Sequence, residues 1–164
     1  MTVCQEERIM SEQNRGKPGT EYPQLQLDGQ LCFPLYACAR KVISTYNPLL
    51  KPYGLTYTQF IVLLALWEKE KGKDKVGDLC RRLYLDCGTM TPMLKKMEES
   101  GWLTRCRCKE DERCVYVCLT EKGWALRDEI KDIPEKVGEC ITLSREEAFE
   151  LYRLLHKLLD TIDE

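Results

Sequence analysis

The chain has 164 residues, enough for one domain with a real core, and its 43% hydrophobic and 32% charged content is that of a helix-rich globular protein. No apolar run nears the ~20 residues that a membrane-spanning helix needs, and the polar stretch Met1–Glu12 has no signal-peptide core, so the expected location is cytoplasmic with no membrane partner. A net charge of -2 argues against nucleic-acid binding by bulk electrostatics.

The sum conceals an asymmetry. Lys95, Lys96, Arg105, Arg107, Lys109 and Arg113 share one stretch, while Glu146, Glu147, Glu150, Asp160, Asp163 and Glu164 sit at the far end. A locally basic surface on a mildly acidic chain is compatible with site-specific DNA binding. Ten cysteines are many for this length. Without a secretory signal they are expected to be reduced thiols, most of them small buried hydrophobes and one or two reactive.

Residues 1–28 carry Gly16, Pro18, Gly19 and Pro23 among polar residues without periodicity, which predicts a flexible tail before a domain over 29–164. Leu31, Leu35, Cys38 and Val42 then recur at helical spacing, up to an end near Pro48–Pro52. Pro34 is undistorting only in a first turn, so this helix begins close to Cys32 or bends there. Cys32 then sits at the positive end of the helix dipole, where an anionic sulfur is favoured, or it is a core filler.

Thr56-Tyr-Thr-Gln59 reads as a capping box opening a helix with Tyr57, Phe60, Ile61, Leu64 and Trp67 on its buried face. A charged turn over Lys69–Asp74 follows, then a helix with Val76, Leu79, Cys80 and Leu83 as its apolar stripe and Arg81–Arg82 exposed. Almost nothing separates it from the next helix, about Asp86–Ser100. There Met90, Met93, Leu94 and Met97 form one face, and Thr89, Thr91, Lys95 and Lys96 fall largely on the other. Two short helices joined by a tight connection containing Gly88 make a helix-turn-helix. Asp86 is one candidate cap; Thr91, with Pro92 at the first helical position, is the other. Hydroxyls that can bond bases or phosphates, followed by two lysines, suit a DNA groove.

Beyond Gly101 the period becomes two. Leu103–Cys108 and Arg113–Cys118 predict a basic β-hairpin, the wing of a winged helix, with Val115 and Val117 pointing inward. Thr120 caps a helix from Glu121 through Leu126, Ile130, Ile133 and Val137, bent by Pro134. Ser144-Arg-Glu-Glu147 opens a last helix whose Leu151, Leu154, Leu155, Leu158 and Ile162 need cover, from the same domain or from a second copy.

Leu31-Cys-Phe-Pro-Leu-Tyr36, Tyr46-Asn-Pro-Leu-Leu50, Gly54-Leu-Thr-Tyr-Thr-Gln-Phe60, Leu83 through Glu98, Glu110-Asp-Glu-Arg113 and Leu119-Thr-Glu-Lys-Gly123 resemble the MarR family of transcription regulators, in its organic-hydroperoxide-responsive, OhrR-type branch. The resemblance implies a mostly α fold with a small β-wing, an intertwined winged-helix homodimer. Its dimerisation helices would be about 29–52 and 120–164, and its DNA-binding part about 55–119. It implies a repressor reading palindromic double-stranded operator DNA: Thr89, Thr91, Lys95 and Lys96 in the major groove, and Arg107, Asp111 and Arg113 on the wing. Cys32 falls on the branch's peroxide-sensing position, with Tyr36, Tyr46 and Tyr57 as the surrounding phenols and Cys140 as a candidate resolving cysteine. Organic hydroperoxide would be the inducer, with no cofactor.

Two other regulators stay open: a MarR repressor answering a phenolic or drug-like ligand, and a metal sensor using Cys106, Cys108, Cys114 and Cys118, which share one parity on the wing. An enzyme is not expected, because the chain offers one histidine, His156, no catalytic pair and no nucleotide fingerprint.

Overall fold

The structure, a computed structural model, describes residues 22–108 and 114–162. In chain order these form α1 (Cys32–Leu50), α2 (Tyr57–Trp67), β1 (Lys73–Lys75), α3 (Val76–Arg82), α4 (Cys87–Glu99), β2 (Leu103–Arg107), β3 (Val115–Leu119), α5 (Glu121–Ile130), α6 (Ile133–Gly138) and α7 (Arg145–Ile162). The chain divides between Pro48 and Leu49 into two compact units. Among the described residues no single helix is long and apolar enough to cross a membrane.

In the first unit, part of the stretch expected to be a flexible tail has local structure. Pro23–Leu25 and Leu27–Gly29 are 3-10 turns, held because the Gln30 amide donates to the carbonyls of Gln24 (2.6 Å) and Gln26 (3.4 Å). Residues 1–21 lie outside the described residues. The helix α1 begins at Cys32, so Pro34 occupies the first turn, where no amide hydrogen is needed.

The second unit carries the core. Leu50, Leu63, Leu66, Leu79, Met90, Met97 and Val117 are fully buried, with Phe60, Leu94, Leu103 and Ile130 nearly so. The Thr56–Gln59 capping box is complete, since Gln59 N–H donates to the Thr56 hydroxyl (3.3 Å) and Thr56 N–H to the Gln59 side chain (2.9 Å). The expected buried face of α2 needs correction. Of Tyr57, Phe60, Ile61, Leu64 and Trp67 only Phe60 is buried, and Leu64 is 37% exposed; Gln59, Val62, Leu63, Ala65 and Leu66 go inside instead. This helix is apolar on nearly every side, so its own period selects no face, and the choice falls to its neighbours α4 and α5.

The charged turn before α3 contains a short strand that the sequence did not announce. β1 pairs antiparallel with β3 (Asp74 opposite Val117), and β3 pairs with β2 (Arg105 opposite Val117), giving the order β1-β3-β2. The hairpin is as expected, with Val117 fully buried and Val115 half-buried. The single bent helix expected from Glu121 to Val137 is two helices, because Pro134 lacks the amide hydrogen to continue α5 and instead sits in the first turn of α6. Leu126, Ile130, Ile133 and Val137 are buried as expected. Ser144 and Glu147 form the second capping box (2.8 and 3.2 Å), which opens α7.

Candidate nucleic-acid interface

The helix α4 is fixed at both ends by local chemistry. The Asp86 carboxylate accepts the Thr89 N–H at 2.9 Å, so Asp86 is the cap and Thr91 is not. Pro92 lies inside the helix, where it has no amide hydrogen to give the Gly88 carbonyl one turn earlier. Gly101, at φ 77°, closes the far end: its N–H donates to Glu98 O and the Trp102 N–H to Met97 O. The tight connection to α3 does not contain Gly88, which lies in the first turn of α4. Its left-handed residue is Tyr84, at φ 52°.

Burial of Met90, Leu94 and Met97, with Met93 half-buried, turns the opposite face of α4 outward. Thr89, Thr91, Lys95 and Lys96 are all exposed there, as the spacing predicted. The Thr91 hydroxyl donates to Cys87 O (2.9 Å), which leaves its oxygen lone pairs free to accept, and Lys95 lies 4.0 Å from Glu99. Glu98 ties this helix to the wing: its carboxylate accepts the Arg105 backbone N–H (2.8 Å) and the Arg105 side chain (2.9 and 2.8 Å). Those donors, the backbone N–H first, hold the Glu98 carboxyl below its ordinary range. Arg107 is exposed at the end of β2. Asp111 and Arg113, the expected hairpin tip, lie outside the described residues.

One strand of the site was not legible in the sequence. β1 brings Lys73 and Lys75 beside Tyr116 on the outer face of the sheet, with the Lys73 ammonium 4.2 Å and the Lys75 ammonium 5.9 Å from the ring centre. The Lys75 ammonium is raised from its ordinary value, by Tyr116 foremost and then by Cys114 and Asp78.

The residues 44–130 match the family model of the transcriptional regulator SarA/Rot. Over 143 residues, 87% of this chain and 95% of the relative, the sequence is 43% identical to the organic hydroperoxide resistance transcriptional regulator of Bacillus subtilis. The chain belongs to the MarR-like SarA/Rot family of transcriptional regulators. Its fold matches reduced AbfR of Staphylococcus epidermidis bound to DNA (29% identity, 99% of this chain and 100% of that chain, TM-score 0.70). It also matches a variant of Escherichia coli MarR complexed with operator DNA (27% identity, 79% and 93%, TM-score 0.68). Family membership makes α3 and α4 the helix-turn-helix, β2–β3 the wing and DNA the partner of this winged-helix regulator.

Three groups of thiols stand out among the described residues of this MarR-like regulator. Cys32 is exposed at the first position of α1, and Tyr36, one turn on, is exposed with its hydroxyl accepting from Arg40 at 2.8 Å. Tyr46 is half-buried in the same helix. Tyr57 is half-buried at the start of α2, in the other unit. Cys140 is exposed just after α6, its thiol 3.6 Å from Lys136 O. The wing cysteines share the outer sheet face, as their parity predicted. Cys108 stands opposite Cys114, with its N–H donating to Cys114 O (2.8 Å), and Cys106 is diagonal to Cys118. Partial burial pushes the Cys118 thiol up, and the Cys106 sulfur adds to this. Among the described residues no three of His, Cys, Asp or Glu gather to hold a metal ion, the four wing cysteines included.

The third group corrects the expectation that all thiols are free. Cys80 in α3 and Cys87 at the start of α4 form a disulfide with Cα atoms 5.7 Å apart. The tight turn between the two helices brings positions seven apart within bonding reach, which the count of cysteines could not reveal. His156 is exposed on α7, its Nδ1 3.0 Å from Tyr152 O and its ring 4.0 Å from the Tyr152 ring.

Proposed function

We propose that this regulator is a cytoplasmic repressor that binds palindromic operator DNA as a homodimer and releases it when an organic hydroperoxide oxidises Cys32. The observation that carries the reading is the 43% identity, along 95% of its length, to a regulator of organic hydroperoxide resistance, together with an exposed Cys32 at the first turn of α1. It acts by occupying DNA rather than by catalysis. Thr89, Thr91, Lys95 and Lys96 meet the major groove, and Arg107, Asp111 and Arg113 the wing's side of the site. The phenols of Tyr36, Tyr46 and Tyr57 are assigned around Cys32 by family resemblance, with Cys140 as the resolving thiol.

A second copy of the chain is supported by unburied apolar surface. None of the 18 residues of α7 is buried, and Phe149, Leu151, Leu154 and Ile162 are 70%, 46%, 48% and 70% exposed. In α1, Phe33 and Tyr36 are exposed as well. Apolar faces of this extent on a monomer call for cover, and two-fold pairing of one patch with itself is the commonest solution.

Fluorescence anisotropy on a promoter fragment from the protein's own locus tests the reading. Reduced wild type and Cys32→Ser should bind alike. Cumene hydroperoxide should release wild type alone, and a thiol reductant should restore it. Equal release of both proteins, or of neither, removes Cys32 as the sensor.

A further inference from the structure

We propose that Cys87 and Cys80 are a second peroxide-reactive site, an attacking and a resolving thiol inside the helix-turn-helix, whose disulfide keeps the DNA-reading helix from overoxidation. The inference rests on α4 being the DNA-reading helix and is independent of Cys32.

The two sulfurs differ in access. Cys87 is exposed at the first residue of α4, while Cys80 is 5% exposed within α3. Cys87 also lines an open cleft of about 440 Å³ with Lys75, Thr91, Arg105 and Cys114, room enough for a small hydroperoxide. Lys75 lines the cleft together with Asp78, and Arg105 is paired with Glu98, so it is the start of the helix that favours an anionic sulfur, the attacking species. The turn between the helices is already closed by Tyr84 N–H to Arg81 O (3.3 Å) and Leu85 N–H to Cys80 O (3.0 Å). The disulfide spans 5.7 Å between Cα atoms with these turn hydrogen bonds in place, so the cross-link and the folded turn coexist.

The chemistry balances with a hydroperoxide as oxidant. The Cys87 thiolate attacks the terminal peroxide oxygen, forming an S–O bond as the O–O bond breaks, and the other oxygen takes a proton and leaves as an alcohol. The Cys80 sulfur then attacks the Cys87 sulfenic acid. The S–S bond forms, and the hydroxyl leaves with the Cys80 proton as water. Two electrons pass from the sulfur pair to the peroxide.

The consequence for DNA lies in what the disulfide prevents. In the cross-linked chain the Asp86 cap is formed and Thr89, Thr91, Lys95 and Lys96 are exposed, so the disulfide is compatible with a presented reading face. A lone sulfenic acid can proceed to sulfinic acid, which thiols do not reverse. That step would put a fixed negative charge at the start of the helix that approaches phosphates.

The test uses full-length Cys32→Ser, which removes the proposed sensor, and the same protein with Cys80→Ala. Cys80→Ser serves as a second version, because Cys80 is a core position. Free protein is treated with cumene hydroperoxide, digested and read by mass spectrometry, with anisotropy on the promoter fragment in parallel and a thermal melt to check folding. In Cys32→Ser we expect one linked peptide joining Cys80 to Cys87, reversible by dithiothreitol, with operator affinity within about twofold of the untreated protein, a change too small for a lost phosphate contact. In either Cys80 variant we expect irreversible sulfinic acid at Cys87 and affinity reduced about fivefold, the effect of one unit charge near another in water. Linkage of Cys87 to Cys114, or both thiols still open to alkylation after peroxide, overturns the pairing. A Cys87 sulfinate without loss of affinity overturns the protective role. Lack of operator binding by the untreated protein would instead strike the reading of the promoter site, and the mass result would still decide the pairing.

Discussion

Replacing Gly123 by alanine should be the most damaging single-methyl change in this fold. Gly123 lies in the first turn of α5, and a Cβ built there would sit 2.0 Å from Trp102 O and 3.1 Å from a Leu119 methyl. Close carbon–oxygen contacts are about 3.3 Å, so α5 and the Trp102 backbone must part by more than ~1 Å, and neither is a flexible side-chain end. Three hydrogen bonds depend on that approach: Thr120 N–H to Trp102 O (3.1 Å), the Thr120 hydroxyl to Gly101 O (2.6 Å) and the Trp67 indole to Gly123 O (3.0 Å). At about 1 kcal/mol net each, with about 1–2 kcal/mol of overpacking, the loss should be about 4–5 kcal/mol. A domain of this size has roughly 5–15 kcal/mol in all. Urea unfolding followed by circular dichroism measures it. Gly77→Ala is the control: a Cβ there meets nothing within 4 Å, and α3 should gain up to about 1 kcal/mol from the better helix former. If Gly123→Ala unfolds within about 0.5 kcal/mol of wild type, the range of ordinary surface substitutions, or if both variants move in the same direction, close backbone approach is not what this glycine provides.

Other expectations follow from the same contacts. Lys95→Ala and Lys96→Ala should each lower the slope of log affinity against log salt by about 0.9 if the lysine meets a phosphate, with unfolding unchanged; an unaltered slope would take that lysine off the interface. Asp86→Ala removes the acceptor for Thr89 N–H and should cost about 1 kcal/mol, with faster amide exchange at Thr89 in hydrogen-exchange measurements; unchanged protection would refute the cap. The Glu98 carboxyl is held below its ordinary value in the folded chain, so its contribution to stability is complete above the unfolded carboxyl value near 4.3 and fades as pH falls through the lower folded value. Glu98→Gln should therefore lower the melting temperature at neutral pH and lose less than wild type on acidification; parallel acid limbs would contradict this. Leu154→Lys, on the exposed face of α7, should leave secondary structure intact and give a monomer in light scattering, whereas a dimer would place the interface elsewhere.

The pieces governed by neighbours in sequence were legible without coordinates. Two capping boxes, the Asp86 cap as one of two choices, the Gly101 stop and the inward Val117 of β3 are decided within a few residues, and the structure realises each of them. The face of α4 was legible too, because its apolar positions form a single stripe and leave Thr89, Thr91, Lys95 and Lys96 outside. Only the tertiary structure could choose the buried side of α2, since a helix apolar nearly all round takes its inside from what packs on it. β1 is too short and too charged to be seen alone, and exists because β3 offers it an edge. The bond between Cys80 and Cys87 has the same origin. Each looks like a separate helix position in the sequence, and a left-handed Tyr84 in the turn accompanies their meeting. Local backbone chemistry fixes where helices start and stop, but which side chains then meet depends on contacts that no short window of sequence contains.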